Sequence, residues 1–255
     1  MKKSLSILLL LTVCFTFTGC TSGEHYDIKV VLAGIITTVI GVLFVVLAKF
    51  SNILREEISD TDEFNKNAQQ MQAKRKWKLT NTNAPFSLEK VQFGIWTVII
   101  SSVYIYMSLC KGDCADGTIN KTALVLMGIF AGTAVASTLI DKGEINDNRP
   151  RYQNAPSKGF FIDILSDDNG ISLHRFQNFA WTLIAIVVYL YKASEITTGC
   201  QLPELSDTLL ALTGISSATY LVMKTKENDP PAQSTTTQAN AETQDDSTAT
   251  TKTAA

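Results

Sequence analysis

The sequence has few charged residues, and they are missing altogether from the interiors of five long stretches. Only 18% of its 255 residues are Asp, Glu, Lys or Arg. A helix of about 20 apolar residues crosses the hydrocarbon core of a bilayer, and five such runs in one short soluble chain are improbable. The pattern therefore predicts a membrane protein with five transmembrane helices. They lie at residues 30–48, 91–109, 122–140, 176–191 and 208–223.

Residues that commonly perform catalysis or bind metals are also scarce. Histidine occurs only at His25 and His174, and no ligand spacing of a zinc site is present. The sequence has no phosphate-binding glycine loop and no nucleophile elbow. The predicted spans contain no ionisable Asp, Glu, Lys, Arg or His, which argues against a proton-coupled pump. We therefore expect no enzymatic activity, no cofactor and no metal. No basic face typical of nucleic-acid binding is visible either.

The first 20 residues have the form of a bacterial export signal. Two lysines precede an apolar run that extends from residue 5 to residue 17. The run ends in Phe-Thr-Gly-Cys, which resembles the lipobox in which a cysteine, here Cys20, is acylated. Phe17 stands where the lipobox usually has leucine. The segment is either a lipoprotein signal or an uncleaved anchor, and both alternatives place residues 21–27 outside the cytoplasm.

Positive charges predict the orientation of the spans. If residue 27 lies outside, the inner loops 51–90 and 141–175 contain twelve Lys and Arg residues, whereas the outer segments contain four. Loops rich in Lys and Arg remain in the cytoplasm. We therefore predict a multi-pass inner-membrane protein whose mature N-terminus is periplasmic and whose C-terminus is cytoplasmic. Three cysteines then lie on the oxidising side, either in disulfides or as free thiols. They are Cys110, Cys114 and Cys200.

A self-match indicates that two helical hairpins arose by duplication. Residues 87–106 align without a gap to residues 172–191. After the outer loop, with one residue inserted, residues 124–133 align to residues 210–219. Both hairpins begin and end inside, so the two repeats are parallel. The expected fold is an all-α membrane protein with a signal segment and five transmembrane helices, four of which form the two parallel-repeat hairpins.

Repeated aromatic and amide residues are expected near the inner boundary of the membrane. Indole rings at this depth usually form an aromatic belt, and amides there bind headgroups, water or a neighbouring helix. The belt is the simpler interpretation, and we adopt it as the prediction. The residues concerned are Gln92, Trp96, Gln177 and Trp181.

The second helix of each hairpin carries small residues four positions apart. Such spacing lets two helix backbones approach closely in a membrane, where packing and hydroxyl bonds replace the hydrophobic drive. We expect these residues to pack the two hairpins of one chain against each other. The alternative is packing in an oligomer that encloses a path lined by hydroxyl groups. The residues are Gly128, Gly132, Gly214 and Ala218.

Part of the second repeat resembles a pattern found in uncharacterised bacterial inner-membrane proteins. The resemblance is carried by residues 172–177, 181–182, 214–217 and 219–221. It extends at most over residues 87–224. The resemblance implies a bacterial source and brings no assigned activity, so it adds no functional residue.

Two functions are compatible with this organisation. The first is a non-enzymatic inner-membrane protein that self-associates, as the subunit of a pore or channel. The alternative is an anchor or sensor that presents its inner loop and tail to a cytoplasmic protein partner; a weak apolar stripe that includes Leu54, Phe64 and Ala68 suits such contact. The expected partners are the lipid bilayer, further copies of the chain and this cytoplasmic protein. The predicted segments are the signal 1–20, the periplasmic stub and first span 21–50, the polar helical loop 51–85, the first hairpin 86–140, the loop with an interfacial segment 141–170, the second hairpin 171–226 and the disordered tail 227–255.

Overall fold

The computed structural model describes residues 28–74, 84–110, 119–148, 154–167, 170–196 and 201–227. In these residues the chain is mostly helical. A short antiparallel pair of strands, β1 (Ser166–Asp167) and β2 (Gly170–Ile171), connects the fifth helix to the sixth. The helices are α1 (Ile28–Phe50), α2 (Thr61–Lys74), α3 (Leu88–Cys110), α4 (Lys121–Asn146), α5 (Phe160–Leu165), α6 (Leu173–Glu195) and α7 (Asp207–Lys224).

Three of these helices are long and apolar enough to cross a membrane. They are α1, the segment Leu88–Leu109 of α3, and α4. The prediction of a helical protein with membrane-spanning helices is confirmed to this extent. Helices α6 and α7 contain more polar residues and are not among the three, so the five-span arrangement remains a prediction.

The surface of the helices is apolar, whereas the interior of the bundle is partly polar. Leu43 of α1, Leu139 of α4 and Val187 of α6 are 56%, 65% and 60% exposed. Polar and charged residues are as numerous as hydrophobic ones among the buried residues that the structure describes. An apolar exterior around polar contacts is the arrangement that lipid favours, because no water is available there to hydrogen-bond exposed polar groups.

Helix α3 lies at the centre of the bundle, against α1, α4 and α6, while α7 packs against α4 and α6. Trp96 of α3 is fully buried. Its ring stacks on Phe130 of α4 at a centroid distance of 5.7 Å and meets Tyr189 of α6 edge to face at 5.6 Å. These three rings bury a large area each and fix the relative positions of three helices.

The close contact between α1 and α3 depends on a glycine. A Cβ atom on Gly94 would lie 2.5 Å from Cε2 of Phe44 and 3.5 Å from Cδ2 of Leu54. Because any larger residue would collide with the Phe44 ring, glycine is what lets α1 lie directly on α3.

The hairpin helices begin at positions that correspond in the sequence alignment. Helices α3 and α6 start at Leu88 and Leu173, and each has 23 residues. Helix α4 is capped by Asn120, whose side chain accepts a hydrogen bond from the amide of Ala123 at 3.0 Å. Helix α7 is capped in the same way by Ser206, the residue that the alignment pairs with Asn120. These caps satisfy amides that would otherwise lack partners at the helix starts. The duplication itself remains a prediction.

Helix α2 lies against the loop that precedes α5. The side-chain oxygen of Asn154 accepts hydrogen bonds from the amide and the hydroxyl of Ser59, at 3.1 and 2.9 Å. Its amide nitrogen donates to Glu63 at 3.1 Å. Phe64 and Ala68 are buried within the chain. The apolar stripe that the sequence suggested for a partner is therefore largely used for folding.

Candidate functional site

A cluster of buried charges lies at one end of the bundle, where α3 and α6 begin and α4 and α7 end. We call this the charged end. Lys224, the last residue of α7, is 1% exposed. Its ammonium lies 3.1 Å from Oε1 of Glu89, 3.1 Å from Oδ1 of Asp141 and 3.4 Å from Oε2 of Glu56. These four side chains, here named the charge cluster, come from four different parts of the fold.

The three carboxylates of the charge cluster differ in how well they are stabilised. Glu89 accepts hydrogen bonds from the Ser137 hydroxyl and, at 2.7 Å, from the Tyr220 hydroxyl. Both oxygens of Asp141 lie near Lys224, at 3.1 and 3.3 Å. Glu56 has only its Oε2 near Lys224, and its Oε1 has no hydrogen-bond partner among the described residues. Because a buried carboxylate loses its hydration, Glu56 is the least favourable place for a negative charge.

Glu56 is held in place by the chain segment on which it lies. Its backbone amide donates to the carbonyl of Pro85 at 3.0 Å, and the amide of Ser87 donates to the carbonyl of Leu54 at 2.9 Å. The guanidinium of Arg55 lies 4.3 Å from the centre of the Phe86 ring. The segment after α1 is thus fastened to the residues that lead into α3.

The electrostatic environment changes the acidity of Glu56. Burial raises its pKa to about 8; Lys224 lowers it, whereas the nearby carboxylates Glu89 and Asp141 raise it. Desolvation disfavours the charged form of any carboxyl group, and like charges within a few ångströms do the same. Glu56 is therefore the member of the charge cluster that carries a proton near neutral pH.

A second ion pair lies beside the charge cluster. Arg175 of α6 donates to both oxygens of Glu227, at 2.9 and 2.6 Å, and His174 lies 3.1 Å from the same carboxylate. Burial raises the pKa of Glu227, but the hydrogen bond with His174 and the charge of Arg175 outweigh it, so the net pKa is lowered. Arg175 also lies 5.4 Å from the ring centre of Tyr220, whose hydroxyl binds Glu89. Tyr220 therefore connects the two charged groups.

The polar interior continues one turn deeper into the bundle. Gln92 of α3 donates to the Thr182 hydroxyl of α6 at 2.8 Å. The side chain of Asn178 of α6 donates to Oε1 of Gln92 at 3.5 Å and accepts from the Ser217 hydroxyl of α7 at 3.4 Å. Interhelical hydrogen bonds of this kind hold helices together where the surroundings are apolar. They also explain why α6 and α7 are less hydrophobic than the other long helices.

Two groups of side chains have the composition of a metal site. The carboxylate oxygens of Glu56, Glu89 and Asp141 lie within 4.8 Å of one another, but the ammonium of Lys224 lies among them, so this site already holds a cation of the protein. Asp167, with His174 and Glu227, forms a second group of the same size. There Glu227 is bound by Arg175. In both groups a basic side chain of the protein already neutralises negative charge that would attract a metal.

Two of the predicted interfacial residues are not at a lipid boundary. Gln92 and Trp96 are 2% and 0% exposed and lie inside the bundle. The assignment of Trp96 to an aromatic belt was therefore wrong, whereas Gln92 bonds to a neighbouring helix, which is one of the roles expected for it. The equivalent residues of the second repeat, Gln177 and Trp181, are exposed and half-buried, and their interfacial role remains a prediction. The difference arises because α3 is surrounded by other helices, whereas α6 is at the periphery.

Two of the predicted packing residues are located differently from our first expectation. Gly128 and Gly132 face open space, because a Cβ atom on either would have no neighbour within 4 Å. They do not pack the two hairpins against each other, and that expectation was wrong for them. Gly214 does lie between the hairpins, because a Cβ atom on it would meet Cδ1 of Ile129 at 3.5 Å, whereas Ala218 is exposed. Packing in an oligomer remains a prediction.

Three of the four cysteines predicted to be modified lie outside the residues that the structure describes. Cys20, Cys114 and Cys200 are not among the described residues. Cys110 is the last residue of α3, and its side chain is not described. Lipidation and disulfide formation therefore stay predictions.

The sequence interpretation missed the charge cluster because it placed the charges just outside the spans. Glu89 and Asp141 fall within the helices that can cross a membrane, and both are fully buried. One signal was available: the register that aligns Thr133 with Thr219 also aligns Asp141 with Glu227. An acidic residue at the same place in both repeats suggests a matched role at the charged end.

Comparisons with protein-family models, with curated proteins and with solved structures find no match for this chain. The role of the charged end is therefore inferred from its geometry. The arrangement can do two things chemically. It can fasten four chain segments together through one ammonium group, and it can bind or release a proton at Glu56.

Proposed function

We propose that this chain is a non-enzymatic, multi-pass protein of a bacterial inner membrane that anchors a cytoplasmic partner through its charged end. The observation that carries the proposal is the position of Lys224. This residue ends α7, just before the C-terminal tail, and its ammonium contacts carboxyl groups from α3, α4 and the segment before α2. The segment before α2 and the end of α7 are thereby held together at the charged end.

Five membrane spans suit this proposal. Helices α6 and α7 direct Asn178, Thr182 and Ser217 into the bundle, where these side chains bond to one another or to Gln92. Their outward positions include Val187 and Val222, which are exposed and apolar. Helices whose polar groups are satisfied by neighbouring helices can lie in lipid although their mean hydropathy is modest. The positive charge of the inner loops then places the charged end in the cytoplasm.

The surface offered to a partner is polar. On α2, Phe64 and Ala68 face the chain itself, so the outward side consists of other residues. The exposed positions include Asn65, Lys66 and Gln69. A folded cytoplasmic protein that binds by hydrogen bonds and charge fits this surface better than an apolar helix would.

Reporter fusions test the membrane arrangement. Alkaline phosphatase, which is active only outside the cytoplasm, and a fluorescent protein, which is active only inside, are fused after residues 57, 118, 148 and 227. We expect fluorescence for the fusions after residues 57, 148 and 227, and phosphatase activity after residue 118. Phosphatase activity at residue 227 would contradict the cytoplasmic position of the tail.

Site-specific crosslinking tests the anchor function. A photoreactive amino acid replaces Gln69 on the outward side of α2, and the same residue at Leu43, on the apolar face of α1, is the matched control. We expect light to join one defined cytoplasmic protein to the first variant in living cells and not to the second. If both variants give the same products, α2 has no dedicated partner and the anchor function is refuted.

A pore or channel formed by several copies is the second candidate, and one observation favours it. The pair Gly128 and Gly132 is four residues apart on the exposed face of α4, beside open space. Glycines in this spacing permit close contact between helices of neighbouring chains. Because a Cβ atom at either position has no neighbour within 4 Å, we expect Gly128→Leu to leave the fold of one copy intact. Native mass spectrometry of the detergent-solubilised protein should then show loss of a defined oligomer, and an unchanged mass would exclude this interface.

A further inference from the structure

The position of Glu56 suits a group that holds its chain segment in place only while it is protonated; this role rests on the proposed anchor function. Its side chain is 2% exposed. It has one contact to a cation, at 3.4 Å, which is the longest of the three carboxylate distances to Lys224. Its Oε1 has no partner in the described part of the chain. A neutral carboxyl group satisfies this position better than a carboxylate does.

Charges face Glu56 from every long helix at the charged end. Lys224 of α7 and Arg175 of α6 favour an ionised Glu56, whereas Glu89 of α3 and Asp141 of α4 oppose it. The ammonium of Lys224 is nearer to Glu89 and Asp141 than to Glu56, so it stabilises negative charge on those two residues more than on Glu56. An ionised Glu56 in this place would be disfavoured first by the loss of its hydration, and the repulsion from Glu89 and Asp141 adds to that cost.

We propose that Glu56 is a proton-binding site, and that release of its proton to the cytoplasm detaches the segment before α2 from the charged end. In the step, the O–H bond of the neutral carboxyl group breaks and the proton passes to water. The carboxylate that remains is repelled by Glu89 and Asp141. Movement of the segment also breaks the backbone bonds of Leu54 and Glu56 to the residues before α3, the bonds of Arg55 with Ala84 and Lys90, and those of Ser59 with Asn154. Helix α2, which follows directly, moves with it and changes the surface that is presented to the partner.

The pKa of Glu56 gives the pH range of this transition. Burial raises it to about 8, above the ordinary value of about 4.3 for glutamate. A raised pKa means that the folded chain holds the proton more tightly than the unfolded chain does. The stabilisation is complete below the ordinary pKa and decreases as the pH rises through about 8. Alkaline pH in the cytoplasm therefore releases the segment before α2 from the charged end.

Hydrogen–deuterium exchange on the full-length protein in lipid nanodiscs tests the inference. Exchange is measured from about pH 6 to about pH 10 and corrected for the intrinsic pH dependence of the amide reaction. In the wild type we expect the protection of residues 54–60 and 84–87 to fall several-fold, with a midpoint near the pKa of Glu56. Glu56→Gln should abolish the transition, and Glu57→Gln, the matched control one residue away, should retain it. A transition that persists unchanged in Glu56→Gln would overturn the inference.

Infrared spectroscopy provides a second readout that does not depend on motion. A neutral carboxyl group has a C=O stretching band that ionised carboxylates lack. We expect a band that disappears over the same pH range in the wild type and in Glu57→Gln, and that is missing in Glu56→Gln. Its absence from the wild type would refute proton binding. The spectra are repeated with added calcium and with a chelator, and a band that depends on calcium would assign the site to a metal and overturn the inference. Loss of the α2 crosslink with an intact band would refute only the anchor function.

Discussion

The hydroxyl of Tyr220 donates a hydrogen bond of 2.7 Å to Glu89, across 131 residues of sequence. The bond joins the last helix of the bundle to the start of the central one, and it directs one oxygen of Glu89 toward Tyr220 while the other faces Lys224. Hydrogen bonds to a charged acceptor are stronger than those between neutral groups. The contact shows that the charged end is an organised network in which each helix terminus contributes a donor or an acceptor.

Removing the ammonium of the charge cluster should be severely destabilising. In Lys224→Met, Glu89, Asp141 and the protonated Glu56 remain buried without their shared cation, and breaking a buried ion pair costs about 3–5 kcal/mol. We expect a large decrease in the temperature of unfolding, measured in detergent by circular dichroism. Lys226→Met, at an exposed position of the turn that follows, is the control and should unfold like the wild type. Equal stability of the two variants would show that the cluster makes no net contribution.

The contact between α1 and α3 predicts a strong effect at one glycine. Gly94→Ala places a methyl group against the Phe44 ring, and overpacking of this kind costs about 1–3 kcal/mol. The same change at Gly128, which faces open space, should be neutral or slightly stabilising. Unfolding in denaturant compares the two. Adding Phe44→Leu to Gly94→Ala should restore part of the loss, and failure of this rescue would argue against direct contact.

The two equivalent glutamines should respond differently to the same substitution. Gln92→Leu removes the donor to Thr182 and leaves buried polar groups without partners, at a cost of about 1–3 kcal/mol. Gln177→Leu changes an exposed residue and should have little effect. The free energies of unfolding of both variants provide the comparison. If Gln177→Leu proved the more harmful, the central position of α3 would be wrong.

The ion pair between Arg175 and Glu227 should make the stability of the segment just after α7 depend on acid pH. The pKa of Glu227 is lowered, so its stabilisation is present above its ordinary pKa and is lost as the pH falls through the lowered value. Limited proteolysis after α7 should therefore accelerate in acid for the wild type. In Glu227→Gln the rate should be high already at neutral pH. A Glu227→Gln variant that is as resistant as the wild type would mean that the pair does not hold the tail.

The sequence predicted the long helices well because apolar runs are a local property. Helices α3 and α6 agree with the predicted spans 91–109 and 176–191 within a few residues. Partners were not predictable in the same way. Whether Gln92 faces lipid or Thr182 depends on which helix lies beside α3, and that is decided by contacts between residues far apart in the chain. The repeat gives both glutamines the same local surroundings, and only the packing distinguishes them.

Most of the charge cluster could not be predicted from the sequence for a related reason. A charge one or two residues beyond an apolar run is usually solvated, so Glu89, Asp141 and Lys224 were assigned to the cytoplasmic boundary. Their burial results from the segment that contains Glu56, which covers the end of the bundle. The residues around Glu56 do not predict that role, because glutamate is common in polar loops.

The order in which the chain is synthesised gives the location of Lys224 a further meaning. Glu56, Glu89 and Asp141 leave the ribosome well before the ammonium that neutralises them, since Lys224 is the final residue of the last described helix. Until then, the three acidic groups have no ammonium from α7 beside them, and the charge cluster can assemble only after α7 has been synthesised. A chain interrupted before α7 would display unneutralised carboxylates to the cell. The charge cluster is therefore complete only in a chain that extends through α7.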